Sequence, residues 1–237
     1  MERPSIDPSL EYALRRVEEN IAEACARAGR DRDDVRLLAV TKTVDADRVN
    51  QVIALGVKQI GENRVQEFLG KKDALDLANV RAHLIGHLQT NKVRQIVGQV
   101  DMIESVDSER LAQAISRVSV ERGIVTPILV EVNIGGEEAK SGVAPDQLEG
   151  LLEKIHDLPG IKVRGMMTVP PILTKESKKR AIFSKMYQLF VDNRAKKLDN
   201  IDMLELSMGM SGDYVEAILE GSTIVRVGSA IFGARQY

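Results

Sequence analysis

The chain has 237 residues, 43% of them hydrophobic and 29% charged, with a formal net charge of −2. That is an ordinary globular balance, with enough apolar side chain for a substantial core and no basic excess of the kind that binds nucleic acid. Aromatic residues make up only 3% and Trp is absent, which argues against stacking platforms for single-stranded nucleic acid.

The first periodic segment runs from Pro8 to Ala28. Its apolar residues Leu10, Leu14, Val17, Ile21 and Cys25 recur at helical spacing until Gly29 stops them, which predicts a helix with Cys25 in its packed stripe. Eight short apolar runs then predict strands at Val35–Thr41, Val57–Ile60, Ala82–Ile85, Met102–Ser105, Pro127–Asn133, Ile161–Thr168, Met203–Ser207 and Thr223–Val227. Between them, Ala46–Leu55, Arg64–Lys72, Asn91–Val97, Ser108–Arg122, Pro145–Ile155, Ser177–Lys197 and Ser211–Leu219 predict helices, with Asn91, Asp107 and Ser211 as N-cap types. Eight strand–helix alternations in a chain near the usual length of about 250 residues predict an α/β fold, a (β/α)8 TIM barrel. The expected organisation is one domain over residues 1–237, with the extra helix at about 8–29 and the barrel at about 35–235. Pro170–Lys179 reads as a mobile loop on the C-terminal face of the barrel. The lone Cys25 cannot close an intrachain disulfide, and Met1–Pro8 has no apolar leader. No apolar run approaches the ~18 residues of a spanning helix, so a cytoplasmic setting is expected.

A barrel gathers the C-terminal ends of all its strands on one face, so polar residues just after each apolar run are the candidates for chemistry. Lys42 follows Leu38 and Val40 in period-two alternation and is expected to share their inward side, where burial lowers an amine's pKa and suits it to attack a carbonyl; a solvated surface lysine is the plain alternative. Ser207-Met208-Gly209-Met210-Ser211-Gly212 and Gly228-Ser229 offer hydroxyls, close backbone approach and helix starts where such barrels bind phosphate. Arg226 on the last strand needs an acceptor, either Glu205 or a ligand atom. Glu62, Asn63, Asn133, Met166, Met167 and Thr168 complete the ring, although Asn63 also suits a helix cap and the methionines suit a core. His83 and His87 fall roughly 13 Å apart along an extended strand, too far to share a metal.

Taken together, Leu37-Leu38-Ala39-Val40-Thr41-Lys42, Gly61-Glu62-Asn63-Arg64-Val65-Gln66-Glu67, His83 to Lys92, Leu206 to Ser211 and Val225 to Gly233 closely resemble the pyridoxal phosphate homeostasis proteins, the family with the alanine racemase N-terminal barrel fold. The resemblance runs from Val35 to Arg235. It implies pyridoxal 5'-phosphate (PLP) held as an internal aldimine of Lys42, with phosphate contacts from Ser207, Gly209 or Ser211 together with Gly228 and Ser229. It also implies that Arg226 lies opposite the pyridine nitrogen, and Asn63 and Met166 join this cofactor-binding set. Ser229 stands where threonine is frequent in the family and keeps the hydroxyl; Ala139 stands where serine is frequent. The implied role is intracellular PLP, vitamin B6 and amino-acid homeostasis without substantial catalysis. An arginine can only donate to the ring nitrogen, which weakens the ring as an electron sink, and the sequence stops at Tyr237 without the further domain that brings alanine racemases their second base. The alternatives are a PLP-dependent amino-acid racemase using a local base such as Tyr214, a lysine Schiff-base lyase, or a barrel for a phosphorylated metabolite without PLP. Expected partners are PLP and PLP-dependent apo-enzymes as recipients, with no nucleic acid, no membrane, no metal, and a monomer or weak dimer.

Overall fold

The computed structural model describes residues 6–137, 140–196 and 198–233. Eight parallel strands close a barrel in chain order: β1 (Arg36–Val40), β2 (Gln59–Glu62), β3 (Arg81–Leu84), β4 (Met102–Val106), β5 (Thr126–Glu131), β6 (Ile161–Met167), β7 (Ile201–Met210) and β8 (Ile224–Val227). β8 pairs with β1, Leu38 opposite Arg226, so no edge is left exposed. The helices are α1 (Pro8–Arg27), α2 (Ala46–Ala54), α3 (Val65–Lys71), α4 (Val93–Ile96), α5 (Glu109–Glu121), α6 (Leu148–Ile155), α7 (Glu176–Arg194), α8 (Tyr214–Leu219) and α9 (Ser229–Phe232). The predicted TIM barrel with an extra N-terminal helix is the fold formed.

Strand alternation divides the apolar residues into two layers. Leu38, Val40 and Ile224 pack with Ile85 inside the barrel, and Met102, Leu129 and Met167 form a second interior group. Leu37, Ala39, Val225 and Val227 point the other way into the main core beneath the helices. α1 starts with Pro8 after an Asp7 cap, whose Oδ1 accepts from Ser9 N at 2.8 Å, and it buries Leu10, Leu14, Val17, Ile21 and Cys25 as its spacing predicts. It packs against α8 and α9, the two short helices beside the last strands. Arg30, just beyond α1, adds a hydrogen bond to Ser222 O at 2.8 Å.

Several local expectations change. β7 continues to Met210, beyond its predicted end, and α8 starts at Tyr214. Ser211 therefore caps no helix. Short 3-10 turns at Thr90–Lys92 and Pro145–Gln147 take the first residues of two predicted helices, so Asn91 lies inside a turn, and Ser108 rather than Asp107 takes the N-cap position of α5. The β6 register shifts between Val163 and Gly165. That irregularity reverses the side-chain parity of the strand, turning Met167 inward and leaving Met166 in the outer core. Ala139 lies outside the described residues.

Candidate functional site

A cleft of about 760 Å³ opens where the strands end, a size suited to a small ligand. Val40, Lys42, Asn63, Ile85, Val169, Met210, Ser211, Arg226, Gly228 and Ser229 contribute to its wall. Lys42 is half-buried, two residues beyond the interior-facing Val40. The loop that follows adds Asp45, the N-cap of α2, whose Oδ1 accepts from Arg48 N at 2.9 Å. Arg48 closes the far side of the cleft, its guanidinium 6.0 Å from the Phe232 ring centroid and donating to Phe232 O at 3.3 Å. Among the described lining residues Lys42, Arg48 and Arg226 are cationic against the single carboxylate of Asp45, so the cleft favours an anion.

Backbone donors cluster on one wall. Ser211 Oγ accepts from Gly228 N at 3.1 Å and Ala230 N at 3.2 Å, tying the segment after β7 to the start of α9. Gly228 also lets the end of β8 lie close to β1, since a Cβ there would lie 3.2 Å from Val40 Cβ. Gly209 has φ 93°, and a Cβ on it would come within 2.5 Å of Ala217 Cβ; its missing side chain is what seats α8 against β7.

The floor is a buried polar chain. Arg226 Nη1 donates to Ser207 Oγ and Nη2 to Thr168 O, each at 2.7 Å. Ser207 Oγ donates to Glu104 Oε2 at 2.6 Å, and Glu104 Oε1 lies 2.7 Å from His83 Nδ1. All four side chains are buried. Burial disfavours the Glu104 carboxylate, but His83, Arg226 and Ser207 outweigh it and hold its pKa below the usual carboxylate range. Burial lowers the Arg226 pKa, while Glu104, Glu131 and Asp213 oppose that shift. Burial likewise pushes Glu131 up, with Ser141 Oγ, 2.9 Å away, pulling the other way.

The chain matches the family model described as alanine racemase, N-terminal domain, over residues 13–236. It is 44% identical to the pyridoxal phosphate homeostasis protein of Aquifex aeolicus over 94% of this chain and 97% of that protein. This chain belongs to the pyridoxal phosphate homeostasis protein family. Among solved structures it is similar to an unknown protein from Bifidobacterium adolescentis (TM-score 0.91, 41% identity, 97% and 98% of the two chains). It is also similar to PipY of Synechococcus elongatus, solved with PLP bound (TM-score 0.79, 32% identity, 90% of this chain and all of that one).

In this member of the pyridoxal phosphate homeostasis family, Lys42, Asn63, Ser211, Arg226, Gly228 and Ser229 meet at the cleft, while three other candidates sit elsewhere. Ser207 is buried beneath Arg226 and supports it from below. Gly209 packs against α8, and Met166 is buried in the outer core. Glu205 does not pair with Arg226; it meets Arg36 at 3.1 Å on the opposite side of the barrel floor from the cleft. Glu62 points to the helix layer, 2.6 Å from Lys71 of α3. Asn133 organises its own loop by donating to Glu137 O at 2.8 Å. Tyr214 is buried with its hydroxyl accepting from Asn20 of α1 at 2.9 Å, away from the cleft lining. No group of potential metal ligands occurs among the described residues. Arg48 and the Glu104–His83 pair were not singled out as site residues from sequence. Arg48 is an ordinary polar position in the α2 pattern, half-buried only because it folds against Phe232, and Glu104 meets its partners only through barrel closure.

Proposed function

We propose that this protein holds PLP in the cleft, joined covalently to Lys42, and serves as a carrier and buffer of the cofactor with little turnover of its own. The observation that carries the reading is the convergence of the Lys42 amine, the buried Arg226 guanidinium and the Ser211 and Ser229 hydroxyls beside Gly228 on one cleft. The residues fit the group: Lys42 suits its aldehyde, the Ser211–Gly228–Ser229 wall suits its phosphate, and Arg226 suits an unprotonated ring nitrogen. When bound, the cofactor supplies an electrophilic carbonyl and an electron-withdrawing ring. Arg226 offers donors only, as it does to Ser207 and Thr168, so it cannot accept from a protonated ring nitrogen and does not favour that form. Asp45, the carboxylate of the lining, is engaged in capping α2. PLP-dependent apo-enzymes are the proposed recipients, in the cytoplasm.

The test is borohydride reduction of the PLP-loaded protein followed by peptide mapping. The label is expected on Lys42 and is expected to vanish in Lys42→Ala; a label on another lysine with Lys42 intact overturns the assignment. Incubation with amino acids, followed by product chirality, is expected to give little racemisation or elimination. Turnover at ordinary enzyme rates that depends on Lys42 makes the protein an enzyme instead.

A further inference from the structure

The segment that carries Lys42 is held from behind by α3. Lys71 Nζ, in the last turn of that helix, donates to Thr41 O at 2.8 Å and Val44 O at 3.0 Å, the carbonyls that bracket Lys42 and Thr43. The same ammonium lies 2.6 Å from Glu62 Oε1 and 3.6 Å from Glu67 Oε1. Glu62 accepts the Thr41 hydroxyl, and Glu67 accepts the Thr43 N–H. Val44 N completes a tight turn by donating to Thr41 O at 3.1 Å.

This turn needs restraint. Thr43 has φ 63°, the only non-glycine residue with positive φ among those described, and a β-branched side chain makes that conformation costly. Such strain persists where the surroundings over-determine it. A buried ion pair such as Lys71–Glu62 is a weak source of net stability. Its geometric effect is specific, because the Lys71–Glu62–Glu67 cluster engages a backbone or side-chain group of Thr41, Thr43 and Val44, the residues on both sides of Lys42.

We propose that Lys71, Glu62 and Glu67 are positioning residues for Lys42, fixing the turn so that its amine is presented to the cleft. They act through the backbone and touch no ligand. The proposal rests on the reading of Lys42 as the attachment point. Without the clamp, Thr43 relaxes toward negative φ and the amine is spread over more directions, which lowers its effective concentration at a bound aldehyde.

The experiment compares full-length wild type with Lys71→Met, which keeps the aliphatic stem and removes the ammonium. In cofactor-free protein, amide hydrogen exchange at Thr43 and Val44 is expected to rise by about tenfold while the strand amides hold, the scale of a lost charge-assisted hydrogen bond. With PLP added, attachment at Lys42 is stopped with borohydride at timed intervals and read by peptide mass. The limiting rate at saturating PLP is expected to fall by about tenfold with an unchanged half-saturating concentration, because positioning is lost and docking is not. Glu62→Gln, nearly isosteric, is expected to act in the same direction more weakly, and it carries both readouts should Lys71→Met fail to fold. Unchanged exchange with an unchanged limiting rate overturns the proposal. So does a rise in exchange throughout the barrel with rate and half-saturation failing together, which marks a merely structural pair. If wild type never attaches PLP at Lys42 but the variant still loosens only residues 43 and 44, the clamp stands and the cofactor reading falls.

Discussion

Glu104 and Glu131 lie in the same barrel, both buried, and their environments push them in opposite directions. Burial penalises each. At Glu104 the penalty is outweighed by His83, Arg226 and Ser207, so the carboxylate is favoured. At Glu131 burial prevails over the Ser141 hydroxyl, and Oε2 has no hydrogen-bond partner. Because the folded pKa of Glu104 lies below its unfolded value, the group contributes stability above the ordinary carboxylate range, and that contribution is lost as pH falls through the folded value. Glu131 has the reverse sign: its cost is present above its raised pKa and is relieved as pH falls through it. Glu104→Gln is therefore expected to lower stability at neutral pH by about 1–3 kcal/mol, the scale of weakened charge-assisted hydrogen bonds to His83 and Ser207, and to flatten the acid limb of the stability curve. Glu131→Gln is expected to leave neutral-pH stability unchanged or raise it, since Ser141 keeps an acceptor. Thermal unfolding of both variants across mildly acidic to neutral pH checks the pair, and a parallel loss in both refutes this assignment of signs.

At the scale of elements, the strands and most helices are legible in the sequence because periods of two and about 3.6 residues follow directly from which face is buried. The same parity explains why Lys42 lines the cleft: Leu38 and Val40 turn inward and the alternation runs on past the strand end. The phosphate-wall candidates were only half legible. The strand continues through Met210 with an irregularity between Ser207 and Met210, which puts Ser207 inside the barrel, turns Gly209 toward α8 and leaves Ser211 to meet the amides of Gly228 and Ala230. Met166, assigned to the cofactor set by the resemblance, lies in the outer core, where the β6 irregularity reverses parity; periodicity carries no mark of a bulge. The Arg226–Ser207–Glu104–His83 chain was out of reach, since it depends on which strands face each other across the interior. The seating of α8 gives a check at this scale. Gly209→Ala puts a methyl 2.5 Å from Ala217 Cβ at a φ of 93°, so α8 must move away from β7 and carry Ser211 with it. A loss of about 1–3 kcal/mol in stability is expected from overpacking, with weakened PLP retention; calorimetry and equilibrium dialysis measure the two, and unchanged retention in a folded variant argues against this wall as the phosphate site.

For the whole molecule, the proposed cofactor is a stabiliser by mass action. A ligand at a hundred times its dissociation constant adds about 2.7 kcal/mol, which in a protein of this size corresponds to a rise in Tm of about 5–10 °C. Such a rise is expected with added PLP by differential scanning fluorimetry and is expected to shrink in Lys42→Ala; a Tm indifferent to PLP contradicts occupancy of the cleft.

The pairing of β8 with β1 also orders events in time. Lys42 leaves the ribosome early, whereas Arg226 and Gly228 belong to the strand that shuts the barrel. At about 5–20 residues per second, the lysine waits roughly 10–40 s for the other half of its pocket. During synthesis the amine is thus present before its pocket is, and on the proposed reading of Lys42 cofactor uptake follows the docking of β8 on β1 rather than accompanying translation.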